Sequence, residues 1–199
     1  MKNQRIRAFI AVELPEELKS TLLQLQTEMK SDSGNFVKWV APESIHVTLK
    51  FLGDIFPRMV KDVAVALEEA SRGNHPFFIE IKELGAFPNL RQPRVLWVGM
   101  GGELGKLIDL QQCIDDALAS LGFAREKRPF SPHITLARIR DWASLQDRRH
   151  FGSLVEKKNF EVEYKVDVNG FSLMRSQLFP TGAIYNCLAE IKLKSLNER

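Results

Sequence analysis

The chain is written twice. IHVTLKFLGD at residues 45–54 and HITLARIRD at residues 133–141 each carry His-aliphatic-Thr-Leu followed later by Asp, and the two histidines, His46 and His133, stand 87 positions apart. The same offset sets RAFIA at 7–11 against RVLWV at 94–98, two apolar runs that each open with arginine. It also sets the helical stretch starting at Glu16 against the one starting at Glu103. A repeat of this length constrains architecture more than local propensity does, because both halves must hold the same order of elements.

Periodicity gives that order. In the first half, residues 6–14 form an apolar run of strand formers, and Pro15 stands where proline is tolerated at a helix start. Residues 16–30 follow as a helix with Leu18, Leu22, Leu25 and Met29 on one face, and Ser31 to Asn35 break it. Strands are expected at 36–40, 46–52 and 77–84, with a helix at 58–71 between the last two and a join over 85–93. The second half repeats the pattern: strand 95–100, helix 104–121 closed by Gly122, motif strand 133–139, a helix near 142–154, then strands 160–174 and 183–193. The fold class predicted is α+β. A single domain over 1–199 holds two similar lobes containing the 1–92 and 93–199 motifs, with antiparallel sheets lining a central cleft and helices outside. An approximate two-fold relation between the lobes brings His46 and His133 together across that cleft.

In a strand, residues i and i+2 share a face, so each motif sets an imidazole beside a hydroxyl: His46 with Thr48, and His133 with Thr135. Such a site suits a phosphate, whose oxygens accept from both hydroxyls while two imidazoles flank phosphorus. Histidine titrates near neutral pH, so one copy can be neutral and take a proton while the other is charged and gives one. The reaction this permits is hydrolysis of a cyclic phosphodiester without metal or cofactor. Arg138 is the best cation for the phosphoryl oxygens. Its equivalent in the first half is Phe51, so the two sides of the site are expected to differ, with Phe51 a candidate base-stacking surface. Trp39 and Phe130 are weaker aromatic candidates, and Lys50 and Arg128 are further candidate phosphate contacts. His75 and His150 lack ligand spacing and are expected on the surface.

Composition excludes several other classes. With 28 basic and 25 acidic residues the net charge is +3, too small for a protein that wraps nucleic acid, so any anion site is local. Cys113 and Cys187 show no CxxC spacing, which predicts neither a disulfide framework nor a cysteine metal site and fits a cytoplasmic location. No apolar stretch approaches the roughly 20 residues of a membrane helix. Because the repeat supplies two half-sites in one chain, a monomer is expected.

The motifs resemble those of the 2H phosphoesterases, and within them the RNA 2′,3′-cyclic phosphodiesterases, also called 2′-5′ RNA ligases. Besides the two HxT motifs the resemblance rests on RAFIAVELPEEL, VKWVAPESIHVTLKFLGD, GAFPN followed by RQPRVLWVG, LGF followed by RPFSPHITLAR, and RSQL ahead of Tyr185. It implies a two-lobed fold and conversion of RNA 2′,3′-cyclic phosphate ends to 2′-phosphomonoesters. It also implies that His46 is the proton donor and His133 the acceptor. Two alternatives use the same cleft: joining RNA through a 2′-5′ linkage by the reverse chemistry, and a non-catalytic module that binds RNA ends or nucleotides.

Overall fold

The computed structural model describes residues 4–160, 164–179 and 182–195. Among them the order is β1 (Ile6–Glu13), α1 (Glu16–Ser33), β2 (Val37–Trp39), β3 (His46–Ile55), α2 (Val60–Ser71), β4 (Phe77–Phe87), β5 (Val95–Gly102), α3 (Leu104–Ala119), β6 (Ile134–Ile139), α4 (Leu145–Lys157), β7 (Tyr164–Val168), β8 (Gly170–Phe179) and β9 (Gly182–Lys192). The expected α1 face is the buried one, with Leu18, Leu22, Leu25 and Met29 in the core, which Leu107, Leu110, Ile114 and Leu118 of α3 also enter. Each such side chain contributes about 1.5–3 kcal/mol by leaving water.

The helices expected at 16–30, 58–71, 104–121 and 142–154 are found at Glu16–Ser33, Val60–Ser71, Leu104–Ala119 and Leu145–Lys157, and two of the shifts have clear local causes. α1 runs on through Ser33 because its stop is Gly34, whose φ of 72° suits a residue without Cβ. α4 starts at Leu145 rather than near 142 because Ser144 caps it. The Ser144 hydroxyl accepts from the Asp147 amide at 3.1 Å while the Asp147 carboxylate accepts from the Ser144 amide at 2.9 Å.

The strands make one curled antiparallel sheet in the order β7-β4-β5-β6-β3-β1-β8-β9, with β2 pairing β6 beside that path. Each side of the sheet therefore mixes strands from both halves of the sequence. β4 belongs to the first half of the sequence, yet it pairs with β5 of the second, because the short connection between them makes a hairpin. β8, from the second half, returns to pair with β1. The repeats thus exchange outer strands.

That exchange also corrects the single strand expected over 160–174, of which residues 161–163 lie outside the described set. β7 ends at Val168 against β4, and after Asn169 the chain enters the other lobe as β8. Gly170 stands at the crossing because the Ile191 carbonyl oxygen lies 2.5 Å from where a Cβ would sit.

Among the described residues β3 and β6 pair at a single position, Val47 with Ile134. Beyond it β3 and β6 diverge, and β2 takes up the free side of β6, pairing Lys38 with Arg138 and Trp39 with Ala137. Fully buried Gln26 of α1 fixes this arrangement by donating to the carbonyls of Val40 and Leu136, at 2.9 and 3.0 Å. No helix among the described residues is long and apolar enough to cross a membrane.

Candidate active site

Val47 and Ile134 are wholly buried, so alternation turns their neighbours His46, Thr48, His133 and Thr135 to the opposite face. Those four side chains line a cleft of about 420 Å³ at the junction of the lobes. Antiparallel register about the Val47–Ile134 pair sets Thr48 on the His133 side and Thr135 on the His46 side. The pseudo-two-fold relation therefore passes through the site itself.

Each imidazole is aimed by its own chain. Nδ1–H of His46 donates to the Ser44 carbonyl at 2.8 Å, and Nδ1–H of His133 donates to the Ser131 carbonyl at 2.7 Å. A carbonyl can only accept, which fixes the proton on Nδ1 in both rings and leaves Nε2 to do chemistry. Nε2 of His46 sits 2.9 Å from the Thr48 hydroxyl oxygen, and that hydroxyl donates to it when the ring is neutral. The repeated serine two residues before each histidine was a usable sequence signal for this carbonyl, since Ser44 and Ser131 also differ by 87.

Aromatic side chains hold the rings from the flank. Phe9 of β1 lies 4.8 Å from His46 between centroids, and Tyr185 of β9 meets the same ring edge-on at 5.3 Å. On the other side Phe87 of β4 meets His133 edge-on at 5.0 Å. Sequence reasoning missed these three as site residues because they arrive from strands far from the motifs. Burial is the larger influence on His46 and pushes its pKa down, while the Ser44 carbonyl and the nearby Glu13 carboxylate oppose the shift and Lys19 adds a little to it. Burial raises the Tyr185 pKa, and the positive charges of Arg138 and Arg7 act against that rise.

Arg138 and Phe51 both line the cleft, although each lies three residues past its threonine, an odd offset that regular alternation sends to the core. The cause is a bulge repeated in the two halves. Leu49 is skipped between the Ile10–Lys50 and Ala11–Thr48 pairs, and Leu136 is skipped between Leu96–Ala137 and Trp97–Thr135. One extra residue restores the cleft face at Phe51, which is 60% exposed, and at Arg138.

The same bulge overturns one candidate. Lys50 faces inward, 3% exposed, forms an ion pair with Asp115 of α3 and donates to the Ala124 carbonyl at 2.8 Å. It makes no contact with the cleft, and Arg128 and Phe130 also lie outside its lining, whereas Trp39 does line it. His75 and His150 hydrogen-bond to the carbonyls of Lys194 and Asp32, away from the site.

The family model described as LigT like phosphoesterase matches twice, at residues 12–97 and 100–185. The chain is 35% identical over 95% of its length to the whole of an RNA 2′,3′-cyclic phosphodiesterase from Methanothermobacter thermautotrophicus. It is 34% identical over 94% of its length to 97% of another from Aquifex aeolicus. Among solved structures, a protein of Thermus thermophilus superposes with a TM-score of 0.77 at 29% identity, covering 96% of this chain and all of that one. Escherichia coli LigT in complex with 3′-AMP gives 0.76 at 24% identity over the same 96% and 100%, a likeness of fold.

Proposed function

This chain belongs to the LigT like phosphoesterase family, and we propose that it hydrolyses 2′,3′-cyclic phosphate ends of RNA to 2′-phosphomonoesters, with His46 and His133 as a metal-independent acid–base pair. The relatives from Methanothermobacter thermautotrophicus and Aquifex aeolicus carry the name RNA 2′,3′-cyclic phosphodiesterase. The observation that carries the reading is the Val47–Ile134 junction, which puts two imidazoles with the same fixed tautomer on one cleft.

In this reading His133 Nε2, which accepts no hydrogen bond among the described residues, takes a proton from water as the oxygen attacks phosphorus. The bond from phosphorus to O3′ breaks, and His46 in its charged form delivers a proton from Nε2 to the departing O3′. The phosphate stays on O2′, and the two rings end with their protonation exchanged. Burial makes the His46 imidazolium a ready donor, and the entering phosphate anion supplies the countercharge that holds the proton until departure. Thr48 and Thr135 donate to the non-bridging oxygens and Arg138 offsets their charge. Phe51, exposed at the rim, offers a face for the terminal base. Such proton transfers contribute about 10²–10⁴-fold each, and the remaining acceleration comes from positioning and charge stabilisation.

The test is product regiochemistry. RNA oligonucleotides with a 2′,3′-cyclic end, incubated in chelator, are expected to give a 2′-phosphate by phosphorus NMR. A 3′-phosphate product, or a requirement for added metal, would contradict the mechanism.

A further inference from the structure

The cleft holds more positive charge than the reacting group needs. Its described lining includes Arg7, Lys38 and Arg138 and no carboxylate. Lys38 of β2 and Arg138 of β6 are direct cross-strand partners, and neither forms an ion pair with a carboxylate among the described residues. Like charges placed opposite one another repel, so this pair is a cost to the fold unless an anion lies between or beside them.

A cyclic phosphodiester carries one negative charge, and Arg138 is the cation suited to meet it. Arg138 and Arg7 line the cleft with Tyr185, whose ring packs edge-on against His46. Lys38 reaches the cleft from another strand, β2. It stands on the β2 wall, where β3 and β6 have diverged and the cleft opens along β6. Its exposed ammonium on a flexible stem suits a phosphate held as a point charge, without fixed fork geometry.

Resting on the phosphodiesterase reading above, we propose that Lys38 binds the phosphodiester joining the terminal ribonucleotide to its 5′ neighbour. The protein then prefers the end of an oligonucleotide over a mononucleoside 2′,3′-cyclic phosphate. A backbone contact carries no base information, so this preference holds whatever the penultimate base.

The experiment compares kcat/KM for a mononucleoside 2′,3′-cyclic phosphate with that for a ribodinucleotide ending in the same cyclic nucleotide. The unaltered protein is expected to favour the dinucleotide. Lys38→Met is expected to lower the dinucleotide-to-mononucleotide ratio about tenfold, the size of one charged hydrogen bond, and Lys38→Arg to restore most of it. The salt dependence of log kcat/KM on the dinucleotide is expected to flatten by about 0.7 in Lys38→Met, one phosphate contact on a single strand. Equal losses on both substrates would assign Lys38 to the reacting phosphate and overturn the proposal. An unchanged ratio, or no dinucleotide preference in the unaltered protein, would overturn it too. Failure of the unaltered protein to hydrolyse either substrate would sink the phosphodiesterase reading itself.

Discussion

His46 is a costly residue to keep partly buried, and its depressed pKa turns that cost into a measurable pH effect. The unfolded chain binds a proton at His46 near pH 6.5, whereas the fold resists it. As pH falls through 6.5 the unfolded state therefore gains protons first, and stability is lost until the folded pKa is reached. His46→Asn removes the titration while keeping an N–H for the Ser44 carbonyl. Chemical denaturation at pH 7.5 and pH 5 is expected to show a smaller loss in the variant than in the unaltered protein; an equal loss would contradict the assigned shift. The paired histidines and threonines were legible in the sequence because strand alternation is a local rule. Arg138 and Phe51 could be named from the repeat, but the reason for their facing could not, since a bulge depends on register with another strand. Phe9, Phe87 and Tyr185 escaped because nothing near them in sequence marks the cleft.

At the level of elements, Lys50 shows how an inserted residue redirects chemistry. Its counterpart in the second half is Ala137, so the buried cation has no equivalent there. Where β2 pairs with β6, the matching stretch 124–126 pairs with no strand. The Lys50–Asp115 ion pair, the Ala124 carbonyl and the Glu126 amide, donating to Asp115 at 3.1 Å, hold it to β3 and α3 instead. Removing one partner leaves a buried charge. Lys50→Met or Asp115→Leu alone is expected to cost about 3–5 kcal/mol in denaturant unfolding, and the double variant much less than the sum. Additive losses would show that the two groups are not coupled. The element order was readable because hydrophobic periodicity survives in each half, while helix ends moved by two or three residues, at Gly34 and the Ser144 cap among others. The strand exchange was hidden: residues 160–174 keep a strand-like composition through Asn169 while their partners change.

For the whole molecule, duplication with exchange of outer strands explains why the site lies where it does. Two copies of one motif meet at the Val47–Ile134 pair, and the outer strands of each lobe come partly from the other half, so the cleft is bound from both sides. The resulting site is symmetric in its histidines and threonines and asymmetric in what flanks them: Phe9 and Tyr185 pack on His46, Phe87 packs on His133, and Phe51 stands where the other half has Arg138. In the proposed mechanism, that asymmetry suits two chemically similar imidazoles to different tasks. The measurement that bears most directly on this account is single-turnover hydrolysis of an RNA 2′,3′-cyclic end, in chelator, across pH, by the unaltered protein, His46→Ala and His133→Ala. The unaltered protein is expected to show a bell-shaped rate profile, and each variant to fall by at least about 10²-fold with its melting transition intact. Near-full activity in either folded variant would contradict the two-histidine mechanism.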